Sequence, residues 1–172
     1  MKKIILLLVL LITNSLYQTT QAQIDASMAN EMKTAHKNPK SGEKIFFKRA
    51  DQCLELIEHA AQKISIKGVA IIAFIPGDAT QSWISKMKVV GNLTNGKANL
   101  LGIASTKAAE MADTHLDSGS GVREIYSGEL GYKGGAIKKV GSGYLLAVFS
   151  GGSGEQDLEV AKIGLEWLSK FY

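Results

Sequence analysis

Apolar side chains are spaced along this chain in three ways, and each spacing predicts an element. Ile45 to Ile66 repeats with a helical period: Cys53, Leu56, Ile57, Ala60, Ala61 and Ile64 share one face, and Glu55, Glu58, His59, Gln62 and Lys63 share the other. Gly68 stops the pattern. Val69 to Ile75 is continuously apolar, as expected of a strand buried on both sides. Pro76-Gly77-Asp78 supplies turn chemistry, and Gln81 to Val90 alternates around Trp83, Ile84 and Met87, which predicts a second strand antiparallel to the first. Asn92 to Gly96 reads as a loop. An alanine-rich helix is expected over Asn99 to Asp113, with Leu100, Leu101, Ala104, Ala108, Met111 and Ala112 on one side.

Asp117 to Gly121 is flexible by composition, and Val122 to Tyr126 predicts a short strand. Gly134 to Val140, Gly141-Ser142-Gly143 and Tyr144 to Ser150 read as a hairpin with Leu145 to Phe149 as a core strand. The last helix is the most sharply marked. Ser153 can cap it, Gln156 three residues on completes a capping box, and Glu155 and Asp157 suit the positive end of the helix dipole. Val160, Gly164, Trp167 and Phe171 stack on one of its faces. Hairpins with helices before, between and after them predict an α+β fold on an antiparallel sheet rather than a Rossmann-type sheet.

The start of the chain follows a different logic. Lys2 and Lys3 precede the unbroken apolar run Ile4 to Ile12, and a polar stretch leads to Thr20-Gln21-Ala22, with small residues where a signal peptidase reads. The run is shorter than the roughly 20 residues that span a bilayer. Residues 1–22 therefore read as a signal peptide, and the protein as exported, with no membrane anchor after processing. Residues 23–43 contain Pro39 and Gly42 and no sustained apolar period, so they read as a polar linker. That leaves 44–172 as one domain.

Charge narrows the choice of partner. The net charge of +4 falls to +2 once Lys2 and Lys3 leave with residues 1–22, which hold no acid. The remaining basic residues are scattered among acids rather than gathered on one face, which argues against nucleic acid. Cys53 is the only cysteine, so no internal disulfide can form. On the apolar face of its helix it reads as an inert buried thiol, with intermolecular pairing or metal ligation as the lesser alternatives.

Standard catalytic signatures are absent: the chain has no H-E-x-x-H, C-x-x-C, G-x-S-x-G or Walker lysine loop. Ser85 and Lys88 have the spacing of a penicillin-binding motif but fall on an expected strand. The informative segment is Ser150-Gly151-Gly152-Ser153-Gly154-Glu155-Gln156-Asp157. Glycine amides ahead of a helix N-terminus can cradle a carboxylate or phosphate. The same glycines could equally make only a tight strand-to-helix turn.

This segment, with Val160-Ala161 and Gly164-Leu165 after it, resembles the C-terminal signature of the GlcG/HbpS family. Ile103-Ala104 followed by Lys107-Ala108 is similar to that family's central helix. Gly134-Gly135-Ala136-Ile137 resembles its glycine-rich segment, and Ala147 to Gly151 its final strand. The chain departs from the family where Ala73-Phe74-Ile75 and Lys86-Met87-Lys88-Val89 lack the usual acids, and where Ile125-Tyr126-Ser127-Gly128 replaces a proline-rich segment. The resemblance implies a profilin-like or PAS-like domain, often a homo-oligomer, that binds haem or a related tetrapyrrole. Taken with the glycine nest and the cation on the central helix, it makes Lys107, Gly134, Gly135, Gly151, Gly152, Ser153, Gly154 and Glu155 the candidate ligand contacts, and it carries over no axial ligand.

The candidates for iron are therefore the histidines. His59 shares a polar face with Glu55 and Lys63, His115 lies just past the central helix, and His36 is in the linker. Tyr126 and Met111 are secondary candidates. Lys107 could pair with a propionate or snorkel to water. Glu155, Glu159 and Glu166, with Lys162 between them, form a stripe that suits a surface salt-bridge ladder better than a metal site. The resulting expectation is an exported haem- or small-ligand-binding protein, with a haem-degrading enzyme and a protein-interaction or sensory module as alternatives. Intact mass of the exported product should begin at Gln23. A cytoplasmic product that keeps Met1 would contradict the signal peptide.

Overall fold

The computed structural model describes Gln23 and residues 38–172. Helix α1 runs over Pro39–Lys63. The side chain of Asn38 accepts the amide of Lys40 at 3.0 Å, and Pro39 takes the first helical position, where its missing N–H costs nothing. The last five residues of the segment expected to be linker, 39–43, thus belong to the helix. Proline here starts the helix instead of breaking it. Gly42 is buried, and the Tyr172 hydroxyl donates to its carbonyl at 2.7 Å.

Strands β1 (Gly68–Pro76), β2 (Ile84–Val90), β5 (Gly135–Val140) and β6 (Gly143–Ser150) form one antiparallel sheet in the order β2-β1-β6-β5. A small hairpin of β3 (Thr94–Asn95) and β4 (Ala98–Asn99) leads into helix α2 (Leu100–Thr114), and helix α3 (Gly154–Ser169) follows β6. The fold is α+β, with a four-stranded antiparallel sheet between flanking helices.

The two central strands explain their own composition. On β1, Ala70, Ile72 and Phe74 face α1 and α3, while Val69, Ile71, Ala73 and Ile75 face α2. On β6, Leu145, Ala147 and Phe149 take the first side and Leu146 and Val148 the second. Both faces are covered, so Val69 to Ile75 and Leu145 to Phe149 are apolar at every position. Edge strand β2 is different. Lys86 pairs with Asp51 and Lys88 with Glu58 of α1, which keeps charge along an otherwise open edge.

Three expected elements differ. β2 begins at Ile84 rather than Gln81, and the expected loop 92–96 contains half of the β3–β4 hairpin. Val122 to Tyr126 is not a strand, because no neighbouring strand offers it a ladder. Side chains hold this segment instead. The Arg123 guanidinium donates to Asp113 and, through two nitrogens, to both oxygens of Glu129. Asp117 receives the amide of Ile137, and Ser118 that of Gly135.

Cys53 is buried where α1 crosses α3, and its thiol donates to the carbonyl of Gly164 at 3.3 Å. Burial pushes the thiol up to about 12, so it stays protonated and inert at neutral pH. The close crossing requires Gly164, since a Cβ there would lie 2.5 Å from Ile57 and 3.1 Å from the Cys53 sulfur. No described helix is long and apolar enough to cross a membrane.

The helix start at Pro39 makes a truncation informative. A chain beginning at Glu43 loses the Asn38 cap and the acceptor of the Tyr172 hydroxyl. It should be less stable than one beginning at His36 by about 1–3 kcal/mol in urea unfolding. Equal midpoints would show that residues 38–42 add nothing.

Candidate functional site

Between the end of β6 at Ser150 and the start of α3 at Gly154 only three residues turn the chain. None of Gly151, Gly152 and Gly154 has positive φ, so their glycines serve close approach rather than handedness. A Cβ on Gly151 would overlap the backbone of Lys67, and one on Gly154 would lie 2.9 Å from the Cβ of Lys133. Ser153 caps α3 with the expected capping box: its hydroxyl accepts the amide of Gln156, and the Gln156 side chain accepts the amide of Ser153. The amide of Gly152 donates at 2.8 Å to Oδ1 of Asp157, one turn into the helix.

The other Asp157 oxygen meets Lys107. Lys107 does not reach solvent: its Nζ is 2.9 Å from Asp157 Oδ2 and donates to the carbonyl of Phe149 at 2.9 Å. The two side chains are only 3% and 4% exposed. Buried charges survive when they are paired and hydrogen-bonded, and both conditions hold here. Gly134, at φ +130°, makes room for the pair, since a Cβ there would run into Lys107 Nζ and the Asp157 side chain. Its carbonyl accepts the amide of Phe149. Gly135 packs against Met111, which is fully buried in the core.

Beside the pair lies a cleft of about 410 Å³. Leu100 and Ile103 of α2 give it an apolar wall, Tyr132 and Lys133 come from the loop before β5, and the first residues of α3 close the far end. The capping box takes the Gln156 amide, so the opening amides of α3 left to an anion are those of Gly154 and Glu155. Lys133 sits 3.9 Å from Glu155, and both are largely exposed, so that contact is loose and Lys133 is available to an incoming anion. Of the expected ligand contacts, the cleft gathers Lys107, Gly151, Gly152, Gly154 and Glu155. Gly134 and Gly135 lie outside its lining, and Ser153 is occupied by its cap. Tyr132 lay outside the sequence expectations because its segment has no period. An aromatic followed by a lysine and two glycines was the only signal available.

The structure does not bring the expected iron ligands to this cleft. His59 is exposed on α1. His115 ends α2 in the left-handed conformation, at φ +55°, and lines a separate cleft of about 630 Å³ with Trp83 and Thr80. Its ring stacks on Tyr144 at 4.1 Å between centroids. The Thr80 hydroxyl donates to the carbonyl of Ala112 at 2.6 Å, so the His115 Nε2 lying 3.3 Å away must be the donor to that hydroxyl. In the neutral ring the free lone pair is then on Nδ1. Tyr126 is exposed beneath the Arg123 guanidinium, 3.8 Å from its ring centre, and His36 lies outside the described residues. Lys162 lies nearest Asp117, at 3.8 Å, rather than completing a ladder with the glutamates of α3. Among the described residues no three of His, Cys, Asp or Glu cluster as a metal-binding group.

No protein-family model and no curated protein matches the chain. Solved structures do. The Klebsiella pneumoniae protein ORFY, of family DUF336, is similar with a TM-score of 0.51 and 16% identity, over 70% of this chain and 87% of that one. PduOC in complex with haem is similar at the same TM-score and identity, over 70% of this chain and 91% of that one. At this identity the likeness is one of fold, and it agrees with the fold that the GlcG/HbpS resemblance implies.

The buried pair can be tested by removing one member at a time. Lys107→Met should cost about 3–5 kcal/mol of unfolding free energy, because Asp157 is left charged and buried. Adding Asp157→Leu should restore much of that loss. A single variant as stable as the wild type would show that the pair is not buried in solution.

Proposed function

We propose that this is an exported binding protein for a small apolar ligand bearing carboxylates, with haem or a related tetrapyrrole as the leading candidate. The observation that carries the reading is the cleft at the start of α3, where an apolar wall, a loosely held lysine and a helix N-terminus converge. Leu100, Ile103 and Tyr132 would hold the body of the ligand, and the helix end and Lys133 its carboxylates. The similarity to PduOC, which was solved with haem, supports the same reading.

The donor set fits haem on two counts. The helix end and Lys133 suit propionates, and Tyr132 offers a phenolic oxygen of a kind known to ligate haem iron. Bound haem would supply iron chemistry, and the chain's own part would be to hold and orient the macrocycle.

An absorption titration of the mature protein with haemin provides the test. A saturable Soret change with one haemin per chain is expected. Tyr132→Phe should alter the spectrum of the complex, and Lys133→Ala should weaken binding about five- to tenfold. Gly152→Val should disturb the loop at the cleft's far end, because its Cβ would lie 3.0 Å from the Gln156 side chain and 3.3 Å from Asp157 Oδ1, and its fold is checked first by circular dichroism. Haemin binding that is unchanged in all three folded variants would place the ligand elsewhere.

A further inference from the structure

Helix α2 buries a second charge, three residues after Lys107, and the protein leaves that charge incomplete. Glu110 is 7% exposed. Its Oε1 accepts the amide of Gly119 at 2.9 Å, while Oε2 is shielded from solvent and has no hydrogen-bond partner. A buried carboxylate oxygen without a partner is strongly unfavourable. Arg123, which lines the same cavity, is committed to Asp113 and Glu129, and Lys107 to Asp157 and the Phe149 carbonyl.

Glu110 borders a cavity of about 90 Å³, room for about three water molecules. Glu124, Glu129 and Arg123 also line it, so carboxylates outnumber cations around it. The rest of its wall includes Gly119, Gly121 and Gly131, each at φ between +63° and +70°. A Cβ on Gly121 would meet nothing within 4 Å. Loop backbone without side chains is what a hard cation needs if carbonyl oxygens are to approach it.

We propose that this cavity is a site for a hard divalent cation. Glu110 Oε2 is the charged ligand, and water and loop backbone oxygens complete the shell. One carboxylate and several neutral oxygens make a modest site. The cation neutralises the only described carboxylate that is buried with an oxygen left bare.

The test uses full mature protein stripped with a chelator, with Ca²⁺ and Mg²⁺ as separate probes. Either ion should raise the melting temperature saturably, by about 5–10 °C at a hundred times its dissociation constant. Glu110→Gln keeps an acceptor for Gly119 and removes the charge, so it should fold and lose the shift. A wild type indifferent to both ions, or an equal shift in Glu110→Gln, overturns the site. If Glu110→Gln does not fold, terbium luminescence on the wild type decides. One-to-one binding displaced by Ca²⁺ supports the proposal, and no saturable signal overturns it.

Discussion

The ion pair between Lys107 and Asp157 joins the two sides of the sheet. α2 packs on one face and α3 on the other, so a contact between them must pass the end of β6. The pair does so through Phe149, whose carbonyl is the lysine's second acceptor. Much of the surrounding sequence follows from keeping both charges satisfied in a dry place. Gly134 has no side chain because the ammonium occupies that space, and Gly152 turns its amide toward the free Asp157 oxygen. The glycine loop is thereby fixed by internal bonds, and the cleft beside it is shaped before any ligand arrives. Preorganisation of this kind reduces the ordering cost of binding.

Most of the fold was legible because its signals are local or periodic. The unbroken apolar runs of β1 and β6 follow from burial on both faces, and the Ser153 capping box appears as the spacing of two residues. What failed has a common cause. Pro39 and Gly42 look like linker chemistry, yet Pro39 is well placed at a helix start and Gly42 is kept small by packing on Phe74. The stretch around Arg123 has strand-like composition, but whether it forms a strand depends on a neighbour that the fold does not supply.

The site was legible only in part. Sequence marked the residues of the glycine loop, and the structure gathers most of them with Lys107 around one cleft. It could not show that the lysine's charge is used inside the protein, because Asp157 lies fifty residues away. Of the three histidines named for iron, His59 lies on α1 and His115 at the end of α2, both away from that cleft, an arrangement set by topology that no spacing rule encodes.

The strand order also has a consequence in time. β1 meets β2 within a short hairpin, but its other edge waits for β6, and Val69 is paired with Ser150 only once most of the domain exists. Closing so long a loop is entropically slow, and the most apolar strand in the chain stays open on one side until it happens. As the chain emerges from the ribosome, β1 is therefore an exposed apolar edge for the synthesis of some seventy further residues. The step that ends this exposure also brings Phe149 into place beside Lys107, so the interval of greatest aggregation risk closes as the site forms.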